Sequence, residues 1–337
     1  MRRCIELAQN GRQLSRPNPM VGAVICLPPP PPTGGGKLLN EIGGSQLAPS
    51  GWRGLGEAYH IRCGEGHAEV NAFASVRPED EPLLKDATIY VSLEPCAHYG
   101  KTPPCCDLII KKGVRRVVVG CVDPFAKVQG RGIEKIRQAG IEVTVGVLED
   151  ECRWLNRRFF TFHEKHRPYI ILKWAQTENG FIDDDGMPLA ISTPFTKQLV
   201  HKLRSEEDAI VVGRTTWERE HPQLNVREWS GKDPVRYILG LPPTPSNGRG
   251  SSDPATVSDI DTLLANCYER QLQSLIVEGG AKTLQSFIER GLWDEIRVET
   301  NTTLRVECGT KAPLLPEGAT LFSEKIFDTN TIRRYKH

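Results

Sequence analysis

Leu93-Glu94-Pro95-Cys96-Ala97-His98-Tyr99-Gly100-Lys101-Thr102-Pro103-Pro104-Cys105, read with His67-Ala68-Glu69 upstream of it, decides the fold of the first half of this chain. The segment opens on the end of an apolar, β-branched run at 87–93, which reads as a strand. It closes on a helical pattern at 105–112, and His67 starts another helical pattern at 67–76. Working outward, 20–27, 56–60, 116–122 and 141–147 read as strands, and 2–14 and 133–139 as helices. This strand–helix alternation predicts a layered α/β domain with a mostly parallel sheet, ending near residue 147. Residues 28–51 begin with a run of prolines and continue rich in glycine, so an exposed, mobile insertion is expected there.

The same alternation returns after a charged, aromatic helical stretch at 149–166. Strands are expected at 169–175, 209–213, 235–239, 274–277 and 294–300, and a helix at 281–290. Thr193-Pro194 reads as an N-cap followed by proline at the first helical position, with Phe195, Leu199 and Leu203 on one face. A proline-, glycine- and serine-rich loop spans 241–256. A length of 337 residues fits two domains. The expected divisions are 1–148, a connector at 149–167, and 168–337.

Composition narrows the function. Hydrophobic content of 39% and charged content of 25% are those of an ordinary globular chain. A net charge of +1 offers no chain-wide basic surplus for gripping phosphate backbones, so no nucleic-acid partner is expected. No run reaches about 18 apolar residues, so no membrane span is expected. The two early arginines, Arg2 and Arg3, precede no apolar stretch, so a signal peptide is not expected either. Ten cysteines in such a chain then fit a reducing cytoplasm, where a subset can bind metal.

His67, Glu69 and Cys96 together fit one chemistry. Zinc deaminases use one histidine and two cysteines as ligands, plus a glutamate that does not bind the metal. Such a site leaves one coordination position for water. Glu69, two residues from His67, is placed to move the proton. On the residues alone the third ligand stays open, because Cys63, Cys105, Cys106 and Cys121 are all near in sequence. A lone H-x-E is common by chance, and a lone cysteine is usually a small buried apolar side chain. The weight lies in their combination between these strands.

Eight residues separate Cys96 from Cys105, where common nucleobase deaminases have two. That longer loop resembles the bifunctional deaminase/reductase family of riboflavin biosynthesis. P-N-P-M-V-G at 17–22, H-A-E-V at 67–70, D-P at 123–124 and V-x-G-x-G at 128–132 are similar as well. The resemblance implies a cytidine-deaminase-like three-layer domain followed by a dihydrofolate-reductase-like domain. It implies zinc on His67, Cys96 and Cys105, Glu69 as proton shuttle, and a deaminase pocket lined by Asn18, His98, Lys101 and Asp123. Phe125 departs from the asparagine many relatives carry after D-P.

In the second half the residues say less. No G-x-G-x-x-G follows a strand. Glu278-Gly279-Gly280, between a strand and a helix, could bring a phosphate near a helix N-terminus. The resemblance implies NADPH contacts at Ala175, Thr216, Glu220 and the run Gly280, Ala281, Lys282, Thr283, Leu284, Gln285 and Ser286. It implies substrate contacts at Pro188, Arg204, Leu224, Arg227 and Glu278, with the two arginines suited to a phosphate monoester. Relatives carry D-D-P or D-N-P where this chain has Glu220-His221-Pro222, and Ala190 replaces a common tryptophan. The expected reaction is deamination of a phosphoribosylaminopyrimidine, then NADPH-dependent reduction of its ribosyl group, by a homo-oligomer, dimer or tetramer. The alternative is a deaminase whose second domain binds substrate without turnover. A tRNA-editing deaminase would want the short cysteine spacing and a basic face. A zinc-stabilised scaffold would want a fourth protein ligand in place of Glu69.

Overall fold

The computed structural model describes residues 1–29, 51–99, 103–125, 129–243 and 253–337. The expected mobile insertion, Lys101, Val128 and the middle of the 241–256 loop lie outside the described residues. The chain divides into two compact units, Met1–His163 and Glu164–His337.

In the first unit a five-stranded sheet has the order β2-β1-β3-β4-β5. Its strands are β1 (Gly22–Leu27), β2 (Arg53–Tyr59), β3 (Thr88–Leu93), β4 (Arg116–Cys121) and β5 (Glu142–Val145). The sheet is mixed rather than mostly parallel: β1 runs antiparallel to both β2 and β3, while β3, β4 and β5 are parallel. β1 thus pairs antiparallel with the strand on either side of it, and only β3, β4 and β5, each followed or preceded by a helix, show the parallel arrangement that crossovers give. One face packs against α2 (Ala68–Ala74), α3 (Cys105–Lys112) and α4 (Arg131–Gln138) through Ile25, Ile89, Val91, Val117 and Val119. The other is covered by α1 (Arg2–Ala8), α5 (Glu149–Leu155) and α6 (Arg157–Lys165), which bury Cys152, Phe159 and Phe160. Three layers result, as expected.

Residues 149–165 therefore do more than connect. The chain breaks helix between α5 and α6 at Asn156, which is 3% exposed. The Met20 N–H donates to Asn156 Oδ1 and Asn156 Nδ2 donates to the Met20 carbonyl, both at 2.8 Å. This two-way clasp anchors the Pro17–Pro19 turn from 136 residues away.

The second unit holds an eight-stranded sheet in the order β12-β13-β11-β6-β10-β7-β8-β9. The strands are β6 (Tyr169–Gln176), β7 (Ala209–Gly213), β8 (Val235–Leu239), β9 (Ala255–Val257), β10 (Ser274–Glu278), β11 (Glu295–Asn301), β12 (Thr320–Phe327) and β13 (Asn330–Lys336). β11 through β9 run parallel, and the β12–β13 hairpin closes one edge antiparallel. One face buries Ile170, Leu172 and Trp174 with Leu263 of α9 (Ile260–Glu269) and Leu284 and Phe287 of α10 (Ala281–Glu289). On the other, Tyr169 and Ile171 pack with Leu203 of α7 (Pro194–Glu206), beside α8 (Arg214–Glu220).

Thr193 caps α7 as expected, its Oγ1 accepting the Thr196 N–H at 3.2 Å. The inward stripe is Thr196, Val200 and Leu203, not Phe195, Leu199 and Leu203. Phe195 is half exposed and lies against the Phe327 ring of β12, 5.3 Å between centroids. That partner outside the core lets the helix turn its smaller residues inward.

Replacing Asn156 by alanine removes both bonds and leaves the Met20 N–H and carbonyl buried without partners. A loss of about 1–3 kcal/mol is expected, read as a lowered thermal midpoint of the full chain.

Candidate functional site

Two helix N-termini meet at one point in the first unit. His67 is the N-cap of α2, in extended conformation, and Cys105 is the first residue of α3. Cys96 sits on the loop leaving β3. His67 Nδ1 lies 3.5 Å from Cys96 Sγ and 3.3 Å from Cys105 Sγ, and the three donor atoms fall within 4.8 Å of one another. Tetrahedral zinc with bonds of about 2.0–2.3 Å needs ligand separations of about 3.3–3.8 Å. Both nitrogen–sulfur separations fall in that range, so the triad fits zinc, and among the described residues it includes Cys105 rather than Cys63, Cys106 or Cys121.

The surroundings favour an anionic sulfur. Hydrogen bonds from Cys105 and His67, against the cost of burial, hold Cys96 well below the ordinary thiol range. The Cys105 backbone N–H also donates to Cys96 Sγ at 3.3 Å. Glu69 is 3% exposed, and burial, with the Cys96 charge adding to it, lifts its carboxyl to about 7.

Glu94 does what the sequence did not announce. Its buried carboxylate accepts the N–H groups of Asp123 (3.3 Å), Gly130 (2.9 Å), Gly132 (3.0 Å) and Ile133 (3.4 Å). It thereby fixes the start of α4 against the Pro95–Cys96 bend, where an anion at a helix N-terminus is favourable. Gly132 fits only because it has no side chain: a Cβ there would lie 2.0 Å from the Pro95 carbonyl oxygen.

Of the expected pocket residues, Asn18 points to His60, its Nδ2 donating to Nε2 at 3.1 Å. His60 Nδ1 lies 3.1 Å from the Gly66 carbonyl, so a neutral ring with its proton on Nδ1 satisfies both contacts. Burial lowers the His60 pKa, which agrees. The ring stands edge-on to His67, with centroids 5.3 Å apart. His60 was not singled out from sequence, because its partners are set by the fold. Asp123 is buried, accepts the Phe125 N–H at 2.8 Å, and is lifted by burial to about 6. His98 is exposed on the strap between the two cysteines.

In the second unit a cleft of about 1170 Å³ opens over the ends of β6, β7 and β10. Ala175, Pro188, Thr216, Glu220, Leu224 and Arg227 line it. So do Arg204, Glu278 and the start of α10 from Gly280 to Thr283. Leu284, Gln285 and Ser286 are not on its wall: Leu284 turns into the core, and Ser286 Oγ bonds back to the Thr283 carbonyl at 2.7 Å. The strand-to-helix elbow is held by the Gly280 N–H donating to Thr216 Oγ1 at 2.9 Å, with Gly279 at φ +116° where a side chain would strain. Arg204 forks the Glu278 carboxylate, Nη2–Oε2 2.7 Å and Nε–Oε1 3.3 Å. Burial works against the Glu278 charge, but Arg204 and Lys173 outweigh it and hold the carboxyl at about 2. Leu224, at φ +54°, is a strained position on the wall. Burial raises the Glu220 pKa, and the Asp183 charge adds to it. Lys173 also faces the cleft.

Fold and site together define a zinc-dependent deaminase joined to a dihydrofolate-reductase-like reductase. Residues 44–121 match the family model of the cytidine and deoxycytidylate deaminase zinc-binding region, and residues 168–304 that of the RibD C-terminal domain. The riboflavin biosynthesis protein RibD of Aquifex aeolicus is 36% identical over 328 residues, 88% of this chain and 85% of its own. That of Escherichia coli is 32% identical over 341 residues, with the same coverage of each. The chain superimposes on a solved Thermotoga maritima deaminase/reductase with TM-score 0.81 and 32% identity, covering 100% of this chain and 97% of that one. For a solved Acinetobacter baumannii RibD the TM-score is 0.79 and identity 28%, over 99% and 97%. The chain belongs to the RibD family of bifunctional riboflavin-biosynthesis enzymes.

Gly132→Ala forces the Pro95 carbonyl away and with it Cys96. Weaker zinc retention is expected, as faster metal loss to a chelator at unchanged helical content by circular dichroism.

Proposed function

We propose that residues 1–148 hydrolytically deaminate 2,5-diamino-6-(5-phosphoribosylamino)pyrimidin-4(3H)-one and that residues 168–337 then reduce its ribosyl group to ribityl. The observation that carries the first half is the His67–Cys96–Cys105 donor cluster with Glu69 buried beside it. Zinc, when held by these three, supplies the positive charge that acidifies water near neutral pH. Glu69 would take one proton from the attacking water and give it to the ring nitrogen, then carry a second, from the hydroxyl so formed, to the amine; the C–N bond breaks, ammonia departs and a ring carbonyl remains. Its raised affinity for a proton suits a group that must hold one and release it. Asn18, steadied by His60, and Asp123 orient the ring, with His98 and Lys101 as further substrate contacts.

In the second unit NADPH supplies a hydride. Ala175, Thr216, Glu220 and residues 280–286 form its proposed binding wall, with Leu284–Ser286 supporting from behind. Pro188, Leu224, Arg204 and Glu278 position the substrate. Arg204 is committed to Glu278, so Arg227, half exposed and with its side chain beside Asn225 and Glu228 at the surface, is the arginine best placed to take the phosphate. Lys173, between Glu278 and the cleft, donates the proton that accompanies hydride. A homo-oligomer in the cytoplasm belongs to the same proposal.

Cys96→Ser should lose zinc, measured as metal per chain. Glu69→Gln should keep it and lose about 10²-fold or more in deamination; full activity in that variant refutes the shuttle. Arg227→Ala should raise KM for the phosphorylated intermediate roughly tenfold with little change in kcat, in an NADPH-oxidation assay. Absence of any NADPH oxidation by the unaltered chain would favour the binding-only second domain.

A further inference from the structure

Four adjacent strands put four charged residues in one row. Glu278 on β10 registers with Lys173 on β6, Lys173 with Arg297 on β11, and Arg297 with Arg334 on β13. Register partners share a face of the sheet, so these side chains stand side by side. The row is unevenly paired. Arg204 already forks Glu278, and Arg334 turns away to Glu295, Nε–Oε1 2.7 Å. Arg297 is left next to Lys173, 5% exposed, with Glu299 Oε2 3.8 Å from Nη1. Among the described residues neither terminal nitrogen of Arg297 has a hydrogen-bond acceptor, and the other oxygen of Glu299 accepts from Asn330 Nδ2 at 2.6 Å. A buried cation placed beside another cation, whose terminal nitrogens pair closely with none of the nearby Glu299, Glu278 and Glu295 charges, costs stability and calls for a reason.

We propose that Arg297 is a positioning residue of the reductase site, whose guanidinium blocks the β11 side of Lys173 and directs its amine toward the cleft between Glu278 and Glu220. This rests on the reading of Lys173 as the proton donor. The geometry carries it: Lys173 has Arg297 on one flank and the Arg204–Glu278 fork on the other, so only the cleft is open to its amine. The groups facing Lys173 are Glu278 from β10, Arg297 and Glu299 from β11, Arg204 from α7 and Glu220 from α8. Burial lowers the Lys173 pKa, and Arg297 and Arg204 push the same way against Glu278 and Glu299. Removing Arg297 should therefore raise it.

The test uses the full chain without added cofactor. Trace acetylation by acetic anhydride across pH, read at Lys173 by mass spectrometry, gives the midpoint of its titration. In Arg297→Met the midpoint should rise by about one pH unit, a tenfold change in protonation, while Arg297→Lys should stay near the parent. The limb of the reductase pH profile should move by the same amount. An unmoved midpoint in folded Arg297→Met, or an equal rise in Arg297→Lys, overturns the proposal. If Arg297→Met fails to fold, Arg297→Met/Glu299→Gln replaces it, with a smaller rise expected and no rise overturning. A midpoint that moves while Lys173→Met keeps its kcat refutes the proton-donor reading instead, leaving the Arg297–Lys173 coupling intact.

Discussion

The deaminase site depends on one buried carboxylate that touches neither metal ligand nor substrate. Glu94 gathers four backbone N–H groups from two segments that follow β4 and the start of α4. An ionised group can be buried only when it is hydrogen-bonded this fully. The arrangement is rigid for that reason, and Cys96, two residues on, inherits the rigidity. With α4 locked, α3 packs beside it and presents Cys105 at its first turn.

The two units use the same device for different chemistry. Each brings the ends of parallel strands and the starts of helices to one place, where backbone N–H groups and side chains face a ligand. In the first unit the helix starts carry the metal donors themselves. In the second they form an elbow of Gly279, Gly280 and Thr216, and the side-chain chemistry lies on the sheet, in Glu278 and Lys173.

The sequence disclosed what depends on local pattern. The strands around Cys96, the cap at Thr193, and the grouping of His67, Glu69 and Cys96 follow from spacing and residue type; Cys105 as the third ligand follows from the family resemblance. What it hid depends on partners far along the chain. Glu94 reads as a strand-end charge, His60 as a histidine after a strand, and Asn156 as a polar residue in a helical stretch; each acts through backbone groups up to 136 residues away. The β12–β13 hairpin was missed because β12 has no buried side to betray it; none of its residues is fully inside. α9 does carry a local signal, its N-cap Asp259, whose Oδ1 accepts the Thr262 N–H at 2.8 Å just beyond the 241–256 loop. The direction of β1 is not legible, because its residues look like those of any other strand; the pairing with β2 and β3 alone shows it antiparallel to both.

The Asn156 clasp bears on how the bifunctional chain can be taken apart. A cut at the last strand of the first sheet, near Val147, looks natural from the alternation of elements. It would discard α5 and α6, strip the cover of Phe159 and Phe160 from Leu93 and Cys121 on the sheet, and release the Asn18 turn from its anchor. Anyone isolating the deamination half as a free-standing enzyme would do better to sever the polypeptide after His163, where the first compact unit ends.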